Sequence, residues 1–226
     1  MTKLPQEIFK AYDIRGIVDK SLTETVTSQI GQAIGTEATL AGDQSVVIGR
    51  DGRLSGPSLA AALSAGIRST GCDVIDIGMV PTPVTYFATH HLETGSAVSI
   101  TGSHNPPEYN GLKIMITGET LAGDRIQMLR KRIEDQDLLS GNGTHHHESV
   151  IDAYTARITG EITLQRPLKI VLDCGNGVGG NIAPRLLQEI GCDVIELFSE
   201  VDGTFPNHHP DPSQLENLND LIKTVI

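Results

Sequence analysis

Two stretches of this chain run through the same order of chemistry, and that repetition limits its fold more than any other feature. Residues 46–78 read VVIGRDGRLSGPSLAAALSAGIRSTGCDVIDIG, and residues 170–199 read IVLDCGNGVGGNIAPRLLQEIGCDVIELFS. Each opens on a short apolar, β-prone run, turns at a glycine-rich loop, spaces its apolar residues for a helix and closes on Gly-Cys-Asp-Val-Ile. Strand, crossover helix and strand form a βαβ unit, whose strands lie parallel beneath a helical layer. Two copies imply an α/β protein of two similar mixed-sheet domains, not one continuous sheet.

The remaining elements fit around these units. Ser21-Leu22-Thr23-Glu24 has the form of a capping box, with Val26, Ile30 and Ile34 following at helical spacing. A short helix is expected from Val84 to His91, another around Ile126, Leu129 and Ile133, and a third on the stripe Val150, Tyr154, Ile158. The polar run from Ser140 to His147 reads as a solvated linker and separates domains at 1–144 and 149–226. Leu218, Leu221 and Ile222 begin a helix that stops at Ile226 without a cap, so the second domain is expected to be incomplete and the chain truncated.

Composition narrows the function. A net charge of −11 offers no extended basic surface to a nucleic acid or an anionic membrane, although a few arginines can still dominate one cleft. The three cysteines form no CxxC pair and read as small buried hydrophobes. No apolar signal region or membrane-length run occurs, so a cytoplasmic protein is expected, with a monomer favoured.

The sharpest local feature is SITGSHNPPEYNGLKIM, residues 99–115. A β-prone run ends at Thr101-Gly102, Ser103 and His104 follow, Pro106-Pro107 stiffen the loop, and a second β-prone run is expected from Leu112. A serine at a strand end stands clear of the core, where sheet proteins of this class place ligands. His104 can exchange a proton, and Lys113 adds positive charge from the next strand. On the residues alone this is either a displayed nucleophile or an ordinary rigid loop with polar tips. It is neither G-x-S-x-G nor a P-loop.

Two other motifs compete. Gly175-Asn176-Gly177-Val178-Gly179-Gly180 satisfies G-x-G-x-x-G, with Glu196 near the spacing of a ribose-binding acid, which would make the second unit an NAD(P)-binding oxidoreductase domain. His145-His146-His147 could take a transition metal adventitiously, against the simpler reading of a solvated linker. His208-His209, flanked by Pro206 and Pro210, is assigned no catalytic role.

Thr101-Gly102-Ser103-His104-Asn105-Pro106 with Tyr109-Asn110-Gly111-Leu112-Lys113 closely resembles the phosphoserine loop of the α-D-phosphohexomutases. Phe9-Lys10-Ala11-Tyr12-Asp13-Ile14-Arg15-Gly16, Gly49-Arg50-Asp51-Gly52-Arg53, Pro81-Thr82-Pro83 and the run from Asp202 to Pro210 extend the likeness over essentially the whole chain, closest to the bacterial phosphomannomutase/phosphoglucomutase branch. The resemblance implies interconversion of hexose 1- and 6-phosphates through a phosphoserine on Ser103, with hexose 1,6-bisphosphate as activating intermediate. It makes Ser103, His104, Lys113 and Arg15 catalytic and gives substrate contacts to Tyr12 and Asn105. It also puts Mg²⁺ on Ser103 through its phosphate. The acidic Asp-Gly-Asp-Gly-Asp-Arg loop that holds the family's metal is absent from this sequence, so the chain is expected to be inactive alone. A non-catalytic sugar-phosphate binding module is the remaining alternative.

Overall fold

In the computed structural model, which describes residues 4–225, the first βαβ unit forms the middle of a mixed sheet. Strands β1 (Ile14–Ile17), β2 (Ser45–Arg50), β3 (Asp73–Met79), β4 (Ser96–Ile100), β5 (Tyr109–Ile116), β6 (Glu119–Thr120) and β7 (His145–His147) lie in the order β1-β5-β4-β2-β3-β7, with β6 beside β5. β4, β2, β3 and β7 run parallel, and β5 is antiparallel to both β4 and β1. The Ile226 terminus lies outside the described residues, as do residues 1–3.

Strand composition explains the layering. Val46, Ile48, Val74, Val98, Ile100, Leu112 and Ile114 face one side and pack beneath helices α1 (Glu24–Leu40), α2 (Gly56–Arg68) and α4 (Asp124–Glu134). Val47, Ala97 and Met115 face the other side and pack beneath α3 (Thr82–His91). That second core also takes Val150 and Ile182, with Ile151, Tyr154 and Leu186 against it. It therefore continues through α5 (Ile151–Glu161) into the second unit, where β8 (Lys169–Asp173) pairs in parallel with β9 (Asp193–Leu197) around α6 (Ala183–Glu189). A final helix, α7 (Asn219–Val225), follows. No helix among the described residues is long and apolar enough to cross a membrane.

Local chemistry departs from the sequence reading at four points. The cap of α1 is Thr23, whose hydroxyl accepts from the Val26 amide at 3.2 Å; the Ser21 hydroxyl instead accepts from the Ile17 amide at 3.0 Å. α3 begins at Thr82, because Pro83 suits a first helical turn. β5 begins at Tyr109, since Arg15 and Ile17 of β1 provide partners for Gly111 and Tyr109. His145–His147 are not a solvated linker: they pair in parallel with Val74, Ile75 and Asp76 as the outermost strand of the sheet. A free edge beside β3 supplied hydrogen bonds that composition could not reveal.

Cys72 and Cys192 are buried and Cys174 is half-buried, all with free thiols. Burial pushes the Cys72 thiol up to about 11, consistent with an inert packing residue.

α1 crosses α2 on glycine. A Cβ on Gly66 would lie 2.1 Å from the Ser28 carbonyl oxygen, and one on Gly31 would lie 2.5 Å from that of Leu63. Gly66→Ala is therefore expected to destabilise the chain by about 3 kcal/mol through overpacking. Gly160→Ala in α5, where the added carbon meets nothing within 4 Å, should instead gain up to about 1 kcal/mol. Urea denaturation of the two variants checks both signs.

Candidate active site

Ser103 follows the end of β4 and sits in the left-handed region at φ +52°. A non-glycine residue holds that conformation only if its surroundings dictate it. Here both flanking peptides are fixed: the Ser103 amide donates to Thr101 Oγ1 at 2.9 Å, and its carbonyl accepts from Arg53 NH2 at 2.9 Å. The side chain is left exposed, with Oγ 3.5 Å from His104 Nδ1.

Arg53 is the residue that sequence reasoning passed over. It lies in the turn between β2 and α2 and is only 2 % exposed. Its guanidinium donates to the carbonyls of Ser103 and Asn105 through NH2 and to those of Pro106 and Tyr109 through NH1, at 2.7–3.0 Å. Nε lies 3.3 Å from Asp51 Oδ2, and the same oxygen accepts the Gly102 amide at 3.1 Å. Burial draws the Arg53 pKa below its usual range while Asp51 opposes the shift; an arginine so placed remains a cation. Gly102 leaves room for this planar group, since a Cβ there would meet Nε at 2.2 Å. Five donors in a fixed fork suit a ring of loop carbonyls, as a lysine ammonium would not. The sequence signal was present in Gly-Arg-Asp-Gly-Arg, but the loop it grips lies about fifty residues away.

The other expected residues divide into two groups. Arg15 donates to the Asn105 side chain and reaches the Gly102 carbonyl at 3.4 Å, so it joins the serine loop from β1 while pairing with Asp13. Lys113 stands on β5 opposite Ser99, two residues beyond the Gly111 that pairs with Arg15. Strand alternation puts Arg15 and Lys113 on the same face. Tyr12, by contrast, is 79 % exposed in the turn before β1.

The second unit closes the other wall. A cleft of about 310 Å³ is lined by Asp51, Thr101 and Ser103 on one side and by Asn176, Val178 and Gly179 on the other. Phe205 stacks on Arg53 with its ring centroid 5.2 Å from the guanidinium carbon, a cation–π contact between the units. Asp211 is held below the usual carboxylate range by the Ser213 hydroxyl and amide.

The glycine loop presents few free amides for a dinucleotide phosphate. The Gly175 amide donates to Asp173, Asn176 to the Phe198 carbonyl, Gly177 to Cys174 and Gly180 to Gly177, so these amides are already committed. A 3₁₀ turn at Val178–Asn181 separates the loop from α6, and Glu196 is exposed on β9. Pyrophosphate binding needs free amides at a helix N-terminus.

Mg²⁺ takes an octahedral set of oxygens, mostly carboxylate and water. Among the residues lining the cleft, Asp51 is the one carboxylate, and both its oxygens accept protein N–H groups. The cleft residues thus do not by themselves build a magnesium site, to which Ser103 would contribute one oxygen, from its hydroxyl or from a bound phosphate.

Beside this cleft His208 is held at both ring nitrogens. Nδ1 lies 2.9 Å from its neighbour's carbonyl, that of His209, and Nε2 lies 3.1 Å from Asp173 Oδ1. Burial alone would lower its pKa; the His209 carbonyl, the Asp173 carboxylate and the charge of Asp220 outweigh burial and raise it.

The fold and cleft define a class: a two-unit α/β protein that displays one serine, on a clamped loop, between its halves. Comparison with known proteins then places it. The phosphoglucomutase/phosphomannomutase alpha/beta/alpha domain I matches residues 6–140, and domain II of the same family matches residues 151–226. The chain belongs to the phosphoglucomutase/phosphomannomutase family. It is 54 % identical over 222 residues to the phosphomannomutase/phosphoglucomutase of Pseudomonas aeruginosa PAO1, covering 98 % of this chain and 48 % of that one. A Neisseria gonorrhoeae phosphoglucomutase is 49 % identical over 227 residues, covering 100 % and 49 %. A crystal structure of a family protein from Burkholderia thailandensis superposes with a TM-score of 0.95 at 49 % identity, over 99 % of this chain and 50 % of that one. The chain spans about half the length of the curated relatives it matches.

Arg53→Lys keeps the charge but loses the fork. With a charged hydrogen bond worth about 1.5–3 kcal/mol, losing two of the four is expected to destabilise the chain by about 3 kcal/mol or more. Hydrogen exchange at the Asn105 and Tyr109 amides, which close the loop, should accelerate with it.

A raised folded pKa means that His208 stabilises the fold fully below the unfolded histidine value. That contribution is lost as pH rises through the folded pKa. Urea midpoints measured across this range should therefore fall for the wild type relative to His208→Gln, and an NMR titration of His208 reads the pKa directly.

Proposed function

We propose that this chain supplies the phosphoryl-carrying half of a phosphohexomutase site, acting on hexose phosphates of the mannose and glucose kind. The observation that carries the reading is Ser103, forced into a left-handed conformation by fixed peptides on both sides and displayed in the cleft between the units. The relatives, a phosphomannomutase/phosphoglucomutase and a phosphoglucomutase, support the substrate class.

In this reading a phosphoryl group on Ser103 passes to a free hydroxyl of a hexose monophosphate. The P–O bond to Ser103 breaks, a P–O bond to the sugar forms, and the hydroxyl proton leaves to a nearby base. The resulting hexose 1,6-bisphosphate turns over and returns its other phosphate to Ser103, as the sugar oxygen it leaves takes up a proton. Phosphoryl transfer asks the protein mainly for position and positive charge. Arg15 and Lys113 provide charge on one sheet face and assist the proton transfers, while His104 and Asn105 shape the loop. Tyr12 contacts the substrate in this reading. By resemblance, Mg²⁺ held by the phosphoserine oxygens would supply further positive charge.

The Ser103 cleft offers Mg²⁺ one carboxylate, Asp51, already engaged by protein N–H groups, which supports the further proposal that this chain does not turn over by itself. Domain limits at 1–144 and 149–226, a cytoplasmic location and a monomeric state complete the reading.

Intact-mass spectrometry after exposure to glucose 1,6-bisphosphate tests it. One added phosphate is expected in the wild type and none in Ser103→Ala, with no interconversion of mannose 1- and 6-phosphates. A phosphate that persists in Ser103→Ala, or specific NAD binding at the glycine loop by saturation-transfer NMR, would defeat the reading. Stable hexose-phosphate binding without any phosphoryl transfer would favour a binding module.

A further inference from the structure

We propose that Asp76, His145 and His147 form a site for one transition-metal ion of the Zn²⁺ type, clipping the strand that leads into the second unit onto the edge of the first sheet. Strand alternation turns His145 and His147 to one side of β7 and His146 to the other, where its Nε2 lies 2.9 Å from Thr144 Oγ1. Register then sets Asp76 of β3 directly opposite His147. Asp76 Oδ2 lies 3.8 Å from His145 Nε2 and 3.8 Å from His147 Nδ1, and one ligand atom from each of the three residues lies within 4.8 Å of the others.

The dimensions suit a small ion. Zinc bonds of about 2.0–2.2 Å in tetrahedral geometry hold ligand atoms about 3.4 Å apart, so modest side-chain rotations close the set. The carboxylate is already oriented: Asp76 Oδ1 accepts the Gly78 amide at 2.8 Å, which leaves Oδ2 for the imidazoles. Ligands held by such outer bonds bind metal better than free ones. Among the described residues, no other hydrogen-bond partner occupies the His145 or His147 rings, which meet at 86° with centroids 4.6 Å apart. His147 is 75 % exposed at the side chain, so solvent reaches the remaining coordination positions.

The donor set selects the ion. Two imidazoles and one carboxylate suit zinc, nickel or copper, whereas Mg²⁺ and Ca²⁺ want oxygen. Arg50 and Arg68 line the same cavity as Asp76 and His145, which disfavours ions drawn by charge alone. None of the three ligands lines the Ser103 cleft. The site is thus separate from any metal that a phosphoserine would hold.

The test uses the untagged chain, stripped with a chelator, in a Zn²⁺ titration against a chromogenic competitor. One ion per chain is expected, with a rise in Tm that Mg²⁺ does not reproduce. Loss of an outer-shell partner alone costs 10–100-fold in metal affinity, so removing a ligand in His147→Ala should weaken binding by at least about tenfold. Asp76→Asn, which keeps the acceptor for Gly78, should do the same, and His146→Ala should not. Co²⁺ should give visible bands of a nitrogen–oxygen site. Failure to compete for Zn²⁺, an equal loss in His146→Ala, or thiolate charge-transfer bands with Co²⁺ would overturn the proposal.

Discussion

One buried guanidinium organises the serine loop. Arg53 sits between a turn, a loop and an aromatic ring from the other unit, and each contact uses a different property of the group. Its edge donates to backbone carbonyls, its charge pairs with Asp51 and its face receives Phe205. Burying a cation is costly unless it is paired and widely hydrogen-bonded, so the arrangement tolerates little slack. That demand fixes the neighbours: Gly102 must lack a side chain, and Ser103 must accept a positive φ.

The second constraint is the continuity of the apolar core. Val150 and Ile182 are buried together with Val84 and Ala88 of α3, and Tyr154 packs its ring edge against Phe87 at 5.4 Å. A pair of domains joined by a shared hydrophobic core behaves more as one body than a pair joined by a polar interface. The close approach of the loops adds to this: a Cβ on Gly203 would lie 2.6 Å from the Gly52 carbonyl oxygen. The glycine loop and the serine loop therefore face each other across a cleft with defined walls. A loop that resembles a dinucleotide motif in sequence serves here as part of that wall.

Much of this was legible in the sequence. The doubled βαβ pattern carried the parallel strands, and the turn residues around Ser103 carried its exposure. Local patterns report what lies within one element. Arg53 stands in a legible motif, but its partners come from another strand end and no spacing rule links them. The three histidines looked like linker for a related reason. Their composition is polar, but the hydrogen bonds they complete belong to β3. Ser21 does not cap α1 because its hydroxyl is taken by the Ile17 amide at the end of β1, a partner outside the helix pattern.

β7 has a further consequence, for how this molecule meets copies of itself. Without it, β3 would present a row of open amides and carbonyls along the border of a long sheet, a template for pairing with another chain. Three residues are enough to occupy that row and too few to offer a new template of comparable length. All three side chains are polar and exposed, so the outward border is also wet. A short histidine strand thus works as a guard against self-association.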